Sequence, residues 1–135
     1  MLETTKQRLK EKHYKDYDTL MKELFGERTK ENQLNNQIRQ AEQTLLWIRQ
    51  IMEFSNKYPD GIPFKAFPGG WSFSFGSHKE DAMKELRADQ ARFERDIALL
   101  KSQHKLAIEK QVELENKLKH YPTFIQLLEK RERNA

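Results

Sequence analysis

The sequence predicts a mainly α fold, a long antiparallel α-helical coiled-coil hairpin with a central β-hairpin. Three observations carry that prediction. The 135 residues are 34% charged and 36% hydrophobic, with only 5 Gly and 4 Pro, whereas a compact globule usually runs nearer 45–50% apolar and about 25% charged. On both sides of the chain centre, apolar residues recur at alternating spacings of three and four, the pattern of a helix that buries a narrow stripe. Between those stretches the period drops to two and turn residues cluster. Regular apolar spacing and 10% aromatic content argue against a disordered chain.

The first helical arm is expected over residues 1–56. Its seam runs Leu34, Ile38, Ala41, Leu45, Ile48 and Met52. Carried backwards, the register meets Glu31 and Glu27 and recovers at Leu24, Leu20 and Tyr17. Gly26 lies beside this weak stretch. An interior glycine costs a helix roughly 1 kcal/mol relative to Ala, so a continuous but locally loosened helix is expected, with a break near residue 26 as the alternative.

Residues 57–77 read as a β-hairpin. Tyr58-Pro59-Asp60-Gly61 is a turn signal. Ile62, Phe64 and Ala66 alternate with Pro63, Lys65 and Phe67; Pro68-Gly69-Gly70 turns the chain; Trp71, Phe73 and Phe75 alternate with Ser72 and Ser74. One strongly aromatic face is expected. Pro63 gives the first strand an edge or a late start, because proline cannot donate a ladder hydrogen bond. A lone two-stranded hairpin is marginal in water and must pack on something. The narrow helical seams leave little room for it, so assembly with hairpins of other subunits is expected, with packing on the chain's own helices as the alternative.

The second arm is expected over residues 78–121, opened by Ser77 and Glu80 as a capping box, in which each side chain satisfies an orphan amide of the first turn. Its seam is Leu86, Gln90, Phe93, Ile97, Leu100, His104, Ala107, Gln111, Leu114, Leu118 and Tyr121. Gln90, His104 and Gln111 interrupt it, and polar seam residues commonly fix register at some cost in stability. Pro122 disfavours helix at Tyr121. Thr123 and Gln126 then cap a terminal helix within residues 122–135 that carries Phe124, Ile125, Leu127 and Leu128. The two arms, each roughly 80 Å long at 1.5 Å per residue, would pack antiparallel, with Leu20, Leu24 and Phe25 near Leu114 and Leu118, and Leu2 and Leu9 near residues 124–128.

Charge and chemistry exclude several classes. The formal charge of +4 is spread along the chain: residues 1–25 carry six basic and five acidic groups, residues 26–78 six and five, residues 79–135 thirteen and eleven. That evenness lacks the basic clustering of a nucleic-acid surface. The remaining nucleic-acid alternative rests on Lys130, Arg131 and Arg133, interrupted by Glu129 and Glu132, and on stacking by Trp71, Phe73 and Phe75. No run approaches the ~18 apolar residues of a membrane span and no leader pattern opens the chain, so a cytoplasmic location without membrane contact is expected. Without cysteine there is neither disulfide nor thiolate chemistry. His13, His78, His104 and His120 lack metal-ligand spacing, the glycines match no phosphate-binding loop, and paired acidic residues such as Asp16 and Asp18 do not share a helix face. Neither an enzyme, a metal nor a cofactor is expected.

The order helix, hairpin, matching helix resembles a β-type prefoldin subunit. The likeness is most specific in the stretch PDGIPFKAFPGGWSFSFGSHKEDAMKELRADQ, where Ile62, Phe64 and Lys65 precede the loop glycines, the strand Trp71 to Phe75 follows, and Glu85-Leu86 opens the charged helix. It covers residues 58–90 in motif and 34–118 in architecture. Pro63 and Pro68, the serines at 72 and 74, and the aromatics in place of Val and Leu depart from the family pattern. The resemblance implies an ATP-independent holding chaperone that binds unfolded proteins through coiled-coil tips. In that scheme Ile62, Phe64, Phe67, Trp71, Phe73 and Phe75 build a homo- or hetero-oligomer, and Leu2, Leu9, Phe25, Phe124, Ile125, Leu127 and Leu128 contact the client. The alternative function is a structural or adaptor coiled coil that uses the same hairpin to oligomerise or to dock on a specific partner.

Overall fold

The structure, a computed structural model, describes residues 2–66, 70–121 and 123–134, with backbone alone at Leu2, Glu3, Phe124, Ile125, Leu128 and Asn134. Helix α1 runs Leu2–Lys57, strands β1 and β2 run Gly61–Lys65 and Trp71–Phe75, helix α2 runs Glu80–Lys119 and helix α3 runs Phe124–Asn134. Two long helices pack against each other and a two-stranded antiparallel sheet connects them, as the periodicity predicts. The chain forms two compact units, residues 33–104 and residues 1–32 with 105–135.

In the unit of residues 33–104, the predicted seam is the core. Leu34, Ile38, Leu45 and Ile48 on α1 and Leu86 and Ile97 on α2 are all buried. The centre of that core joins Ile48, Ile51, Trp71, Met83 and Leu86, with Met52 and Phe93 packed against them. Ile51 is buried although it lies off the predicted seam, whereas Ser55 and Met83 are buried one step beyond the seam's ends and in its register. The hairpin is the reason: Trp71 covers a second side of the helix pair, widening the buried stripe beyond what two helices alone would hide. The ion pairs Arg49–Glu94 (3.4 Å) and Lys101–Glu42 (3.2 Å) flank the seam in solvent, where such pairs contribute little.

The start of α2 differs from the prediction. The helix begins at Glu80, so Lys79 and not Ser77 is its N-cap, and the Lys79 carbonyl accepts the first helical bond from Met83 at 2.9 Å. Lys79 has a second set of contacts, made by its side chain. Its ammonium donates to the Ser55 carbonyl and, at 3.1 Å, to the Tyr58 carbonyl. These belong to the end of α1, where orphan carbonyls and the negative end of the helix dipole favour a cation. One residue therefore terminates one helix and starts the next.

Within the hairpin, Gly61 pairs with Phe75, Ile62 with Ser74, Pro63 with Phe73, Phe64 with Ser72 and Lys65 with Trp71. The bonds Ala66 N–H to Gly70 O (3.0 Å) and Gly76 N–H to Asp60 O (2.9 Å) fix the phase. Hydrogen-bonded pairs alternate with non-bonded ones in an antiparallel ladder, so the even-numbered residues bond across the ladder and the odd-numbered ones aim their backbone groups outwards. Pro63 occupies an outward position, where its missing N–H takes nothing from the ladder. Phe67, Pro68 and Gly69 of the predicted turn lie outside the described residues.

In the unit of residues 1–32 and 105–135, α1 continues through Gly26 without a break. Leu24, Ala107 and Leu114 are buried. The weak stretch at Glu27 and Glu31 is a polar layer: buried Gln111 donates to Glu31 Oε2 at 2.7 Å and to the Glu27 carbonyl at 3.4 Å, and Lys110 pairs with Glu27 at 3.5 Å. Helix α2 ends at Lys119, and the predicted capping box opens α3: Thr123 N–H donates to Gln126 Oε1 at 2.9 Å and Gln126 N–H donates to Thr123 Oγ1 at 3.2 Å. Between the helices, the Tyr121 ring lies 5.0 Å from His13 and 6.2 Å from Tyr17.

Two glycines have opposite expected responses to alanine. A Cβ at Gly26 meets nothing within 4 Å, whereas one at Gly61 would lie 2.9 Å from the Phe54 ring and 3.2 Å from the Tyr58 carbonyl. Gly26→Ala is expected to stabilise the protein by about 1 kcal/mol. Gly61→Ala is expected to destabilise it by about 1–3 kcal/mol through overpacking. Urea unfolding followed by circular dichroism measures both.

Candidate functional site

The side chain that seats the hairpin is Trp71, 5% exposed. Its indole N–H donates to Asp89 Oδ2 at 2.8 Å, and its carbonyl accepts from the Trp47 indole at 2.5 Å. Lys65, the cross-strand partner of Trp71, places its ammonium 3.0 Å from Asp89 Oδ2 and 5.9 Å from the Trp71 ring centre. Arg92 reaches Asp89 Oδ1 at 3.5 Å. Burial by itself raises the Asp89 pKa. The hydrogen bonds from Lys65 and Trp71 and the charges of Arg92 and Lys65 together outweigh it and leave the carboxyl below its ordinary 3.8. Hydrogen bonds and positive charge directed at a carboxylate favour its ionised form in this way.

The register decides which aromatics share a face, because directly paired residues point to the same side of a sheet. Gly61, Pro63, Lys65, Trp71, Phe73 and Phe75 form the side turned to the helices. There the Phe54 ring of α1 meets Phe73 at 4.1 Å and Phe75 at 5.7 Å. Ile62, Phe64, Ser72 and Ser74 form the other side. The residues expected to build an oligomer are thus not one patch. Trp71 belongs to the core, Phe73 and Phe75 remain 41% and 63% exposed beside Phe54, and Phe64 is 42% exposed on the opposite side with half-buried Ile62. Phe67 lies outside the described residues. The expected single aromatic face holds for β2 alone.

Of the residues expected to contact a client, Phe25 is 70% exposed and Leu9 and Leu127 are half-buried. The side chains of Leu2, Phe124, Ile125 and Leu128 lie outside the described residues. Phe25 has exposed apolar neighbours that lie outside the expected client-contact set. Tyr14, Tyr17, Met21 and Phe25 follow spacings of three, four and four along α1, and all are exposed, at 57%, 43%, 38% and 70%. Tyr17 was expected in the seam and sits at its edge. The signal was present as a second helical period running beside the seam residues Leu20 and Leu24.

Among the described residues, no group of three or more His, Asp or Glu side chains has metal-binding geometry, and no helix is long and apolar enough to cross a membrane. Comparison with protein-family models, with curated proteins and with solved structures finds no match.

The Asp89 cluster has a definite pH dependence. Because its folded-state pKa lies below 3.8, ionised Asp89 stabilises the docked hairpin fully above the unfolded-state value, and this contribution disappears as pH falls through the lowered one. Both tryptophans of the chain, Trp47 and Trp71, sit in the cluster, so tryptophan fluorescence reports on it. Asp89→Ala is expected to cost about 2–3 kcal/mol, since it leaves a buried indole donor unpaired. Below pH 4, wild type is expected to lose its stability advantage over Asp89→Asn. An unchanged difference between the two at pH 2.5 and pH 7 would contradict the assignment.

Proposed function

We propose that the chain is a non-enzymatic chaperone-type subunit that holds non-native protein segments on exposed apolar side chains of its helices, without ATP or a cofactor, and that assembles through its β-hairpin. The observation that carries this reading is the stripe of Tyr14, Tyr17, Met21 and Phe25. With aromatic side chains of about 150–250 Å² each, exposures of 57%, 43% and 70% for Tyr14, Tyr17 and Phe25 leave on the order of 300–400 Å² of largely apolar surface. Patches of that size on soluble proteins commonly mark interaction sites. Its aromatic and thioether groups adapt to many apolar partners. The helix, hairpin and helix order shared with prefoldin subunits supports the same reading, and a cytoplasmic setting suits a cysteine-free chain.

A second reading is favoured by the regularity of the stripe. Spacings of three and four match the groove of one folded helical partner as well as an unfolded chain, which describes a structural or adaptor coiled coil. The two readings separate in a light-scattering assay of an unrelated, chemically denatured protein diluted into buffer. The holding function predicts that the chain at stoichiometric excess suppresses aggregation, and that the triple variant Tyr14→Ser, Met21→Ser, Phe25→Ser loses most of that protection while keeping its helical circular dichroism. Absence of protection by the wild-type chain overturns the chaperone reading and leaves the adaptor.

A further inference from the structure

The two strands of the hairpin have different outer edges. On β1, the outward-facing positions are Gly61, Pro63 and Lys65. The Gly61 N–H is already bonded to the Tyr58 carbonyl at 3.0 Å, Pro63 has no N–H, and Lys65 places a charge on the strand. Proline and lysine are the residues that keep natural sheet edges from pairing with further strands. On β2, the outward-facing positions are Trp71, Phe73 and Phe75. The Trp71 carbonyl holds the Trp47 indole, but the Phe73 and Phe75 backbone groups face away from the ladder. The strand sequence Trp-Ser-Phe-Ser-Phe has neither charge nor proline. One edge is closed and the other is open.

From this asymmetry we infer that a second copy of the chain pairs with β2 edge to edge, antiparallel and about a two-fold axis at Ser74, making one four-stranded sheet from two hairpins. A head-to-tail ring would have to use the closed β1 edge. An isologous pair uses only the open one. The register follows from the unused groups: placing Phe73 opposite Phe75 of the second copy lets both residues exchange N–H and C=O bonds in each direction, and leaves the Trp47 indole on Trp71 undisturbed. The same register sets the exposed Phe73 ring beside the second copy's Phe75, an aromatic cross-strand pair of the kind that stabilises sheets. The inference rests on the assembly part of the proposed function and not on its client-binding part.

Ser74 would face its own symmetry mate at a non-hydrogen-bonded position, where Cα atoms lie about 4.5 Å apart, within the range a disulfide spans. The chain contains no cysteine, so Ser74→Cys introduces a single thiol. Mild oxidation of full-length Ser74→Cys is expected to give a covalent dimer on a non-reducing gel, while Ser72→Cys, on the same strand and face, stays monomeric. Light scattering is expected to give twice the chain mass for wild type, falling to one chain for Phe75→Lys with helicity retained. Cross-linking through Ser72→Cys but not Ser74→Cys would overturn the register. A wild-type monomer without cross-linking would overturn both the pairing and assembly through the hairpin. A mass above a dimer, unchanged in Phe75→Lys, would overturn the edge pairing and leave assembly standing.

Discussion

The hydrogen bond from the Trp71 indole to the Asp89 carboxylate, 2.8 Å long, is the constraint on which the rest of the hairpin depends. Two strands alone do not hold together in water, and this hairpin is anchored by one large side chain inserted among Ile48, Ile51, Met83 and Leu86. An indole N–H placed there needs an acceptor, and a buried carboxylate needs more than one donor. Asp89 meets both requirements by collecting Trp71, Lys65 and Arg92. Once Trp71 is turned inward, the two-residue period of the strands and the register between them together determine which residues share its face. Phe73 and Phe75 must lie on the helix side, Ile62, Phe64 and both serines on the other, and the odd-numbered backbone groups at the edges.

Helical periodicity was legible in the sequence because it is local. The seam from Leu34 to Met52 and the one from Leu86 to Leu118 repeat within each helix, and no distant contact is needed to see them. The Thr123 and Gln126 box was legible for the same reason, both partners being three residues apart. Asp89 was not, because nothing within α2 distinguishes it from a solvated acid; its partners Lys65 and Trp71 come from the hairpin. The local spacing of Ser77 and Glu80 matches a capping box, but the cap belongs to Lys79, whose side chain reaches back to Ser55 and Tyr58. Strand alternation was legible, but the register across the turn was not. That register moved Phe64 and Ile62 away from the face of Trp71.

The polar positions of the seams have a similar explanation. Glu27 and Glu31 look like a defect in α1, and Gln111 looks like one in α2. Together they form a hydrogen-bonded layer, with Gln111 bridging both glutamates and Lys110 neutralising one of them. A layer of this kind contributes less than apolar packing would, but in the observed alignment Gln111 reaches both glutamates. Sliding either helix by one turn would take Gln111 off one of its two acceptors and towards Leu24 or Leu34. Polar residues at single seam positions specify register by this penalty on the alternatives.

The exposed stripe on α1 and the open edge of β2 make physical sense together. A patch of a few hundred Å² is below the roughly 800 Å² that each partner contributes to a stable protein–protein interface, so a single stripe would hold a partner only weakly. Under the holding function proposed above, such weakness would allow release of a bound segment. The proposed pairing of two copies through the hairpin edge would change the second contact from a bimolecular event to an intramolecular one, and avidity would then rise without any new surface. In the proposed pairing, the contrast between a β1 edge closed by Pro63 and Lys65 and an uncharged β2 edge would limit that gain to a pair and prevent open-ended growth.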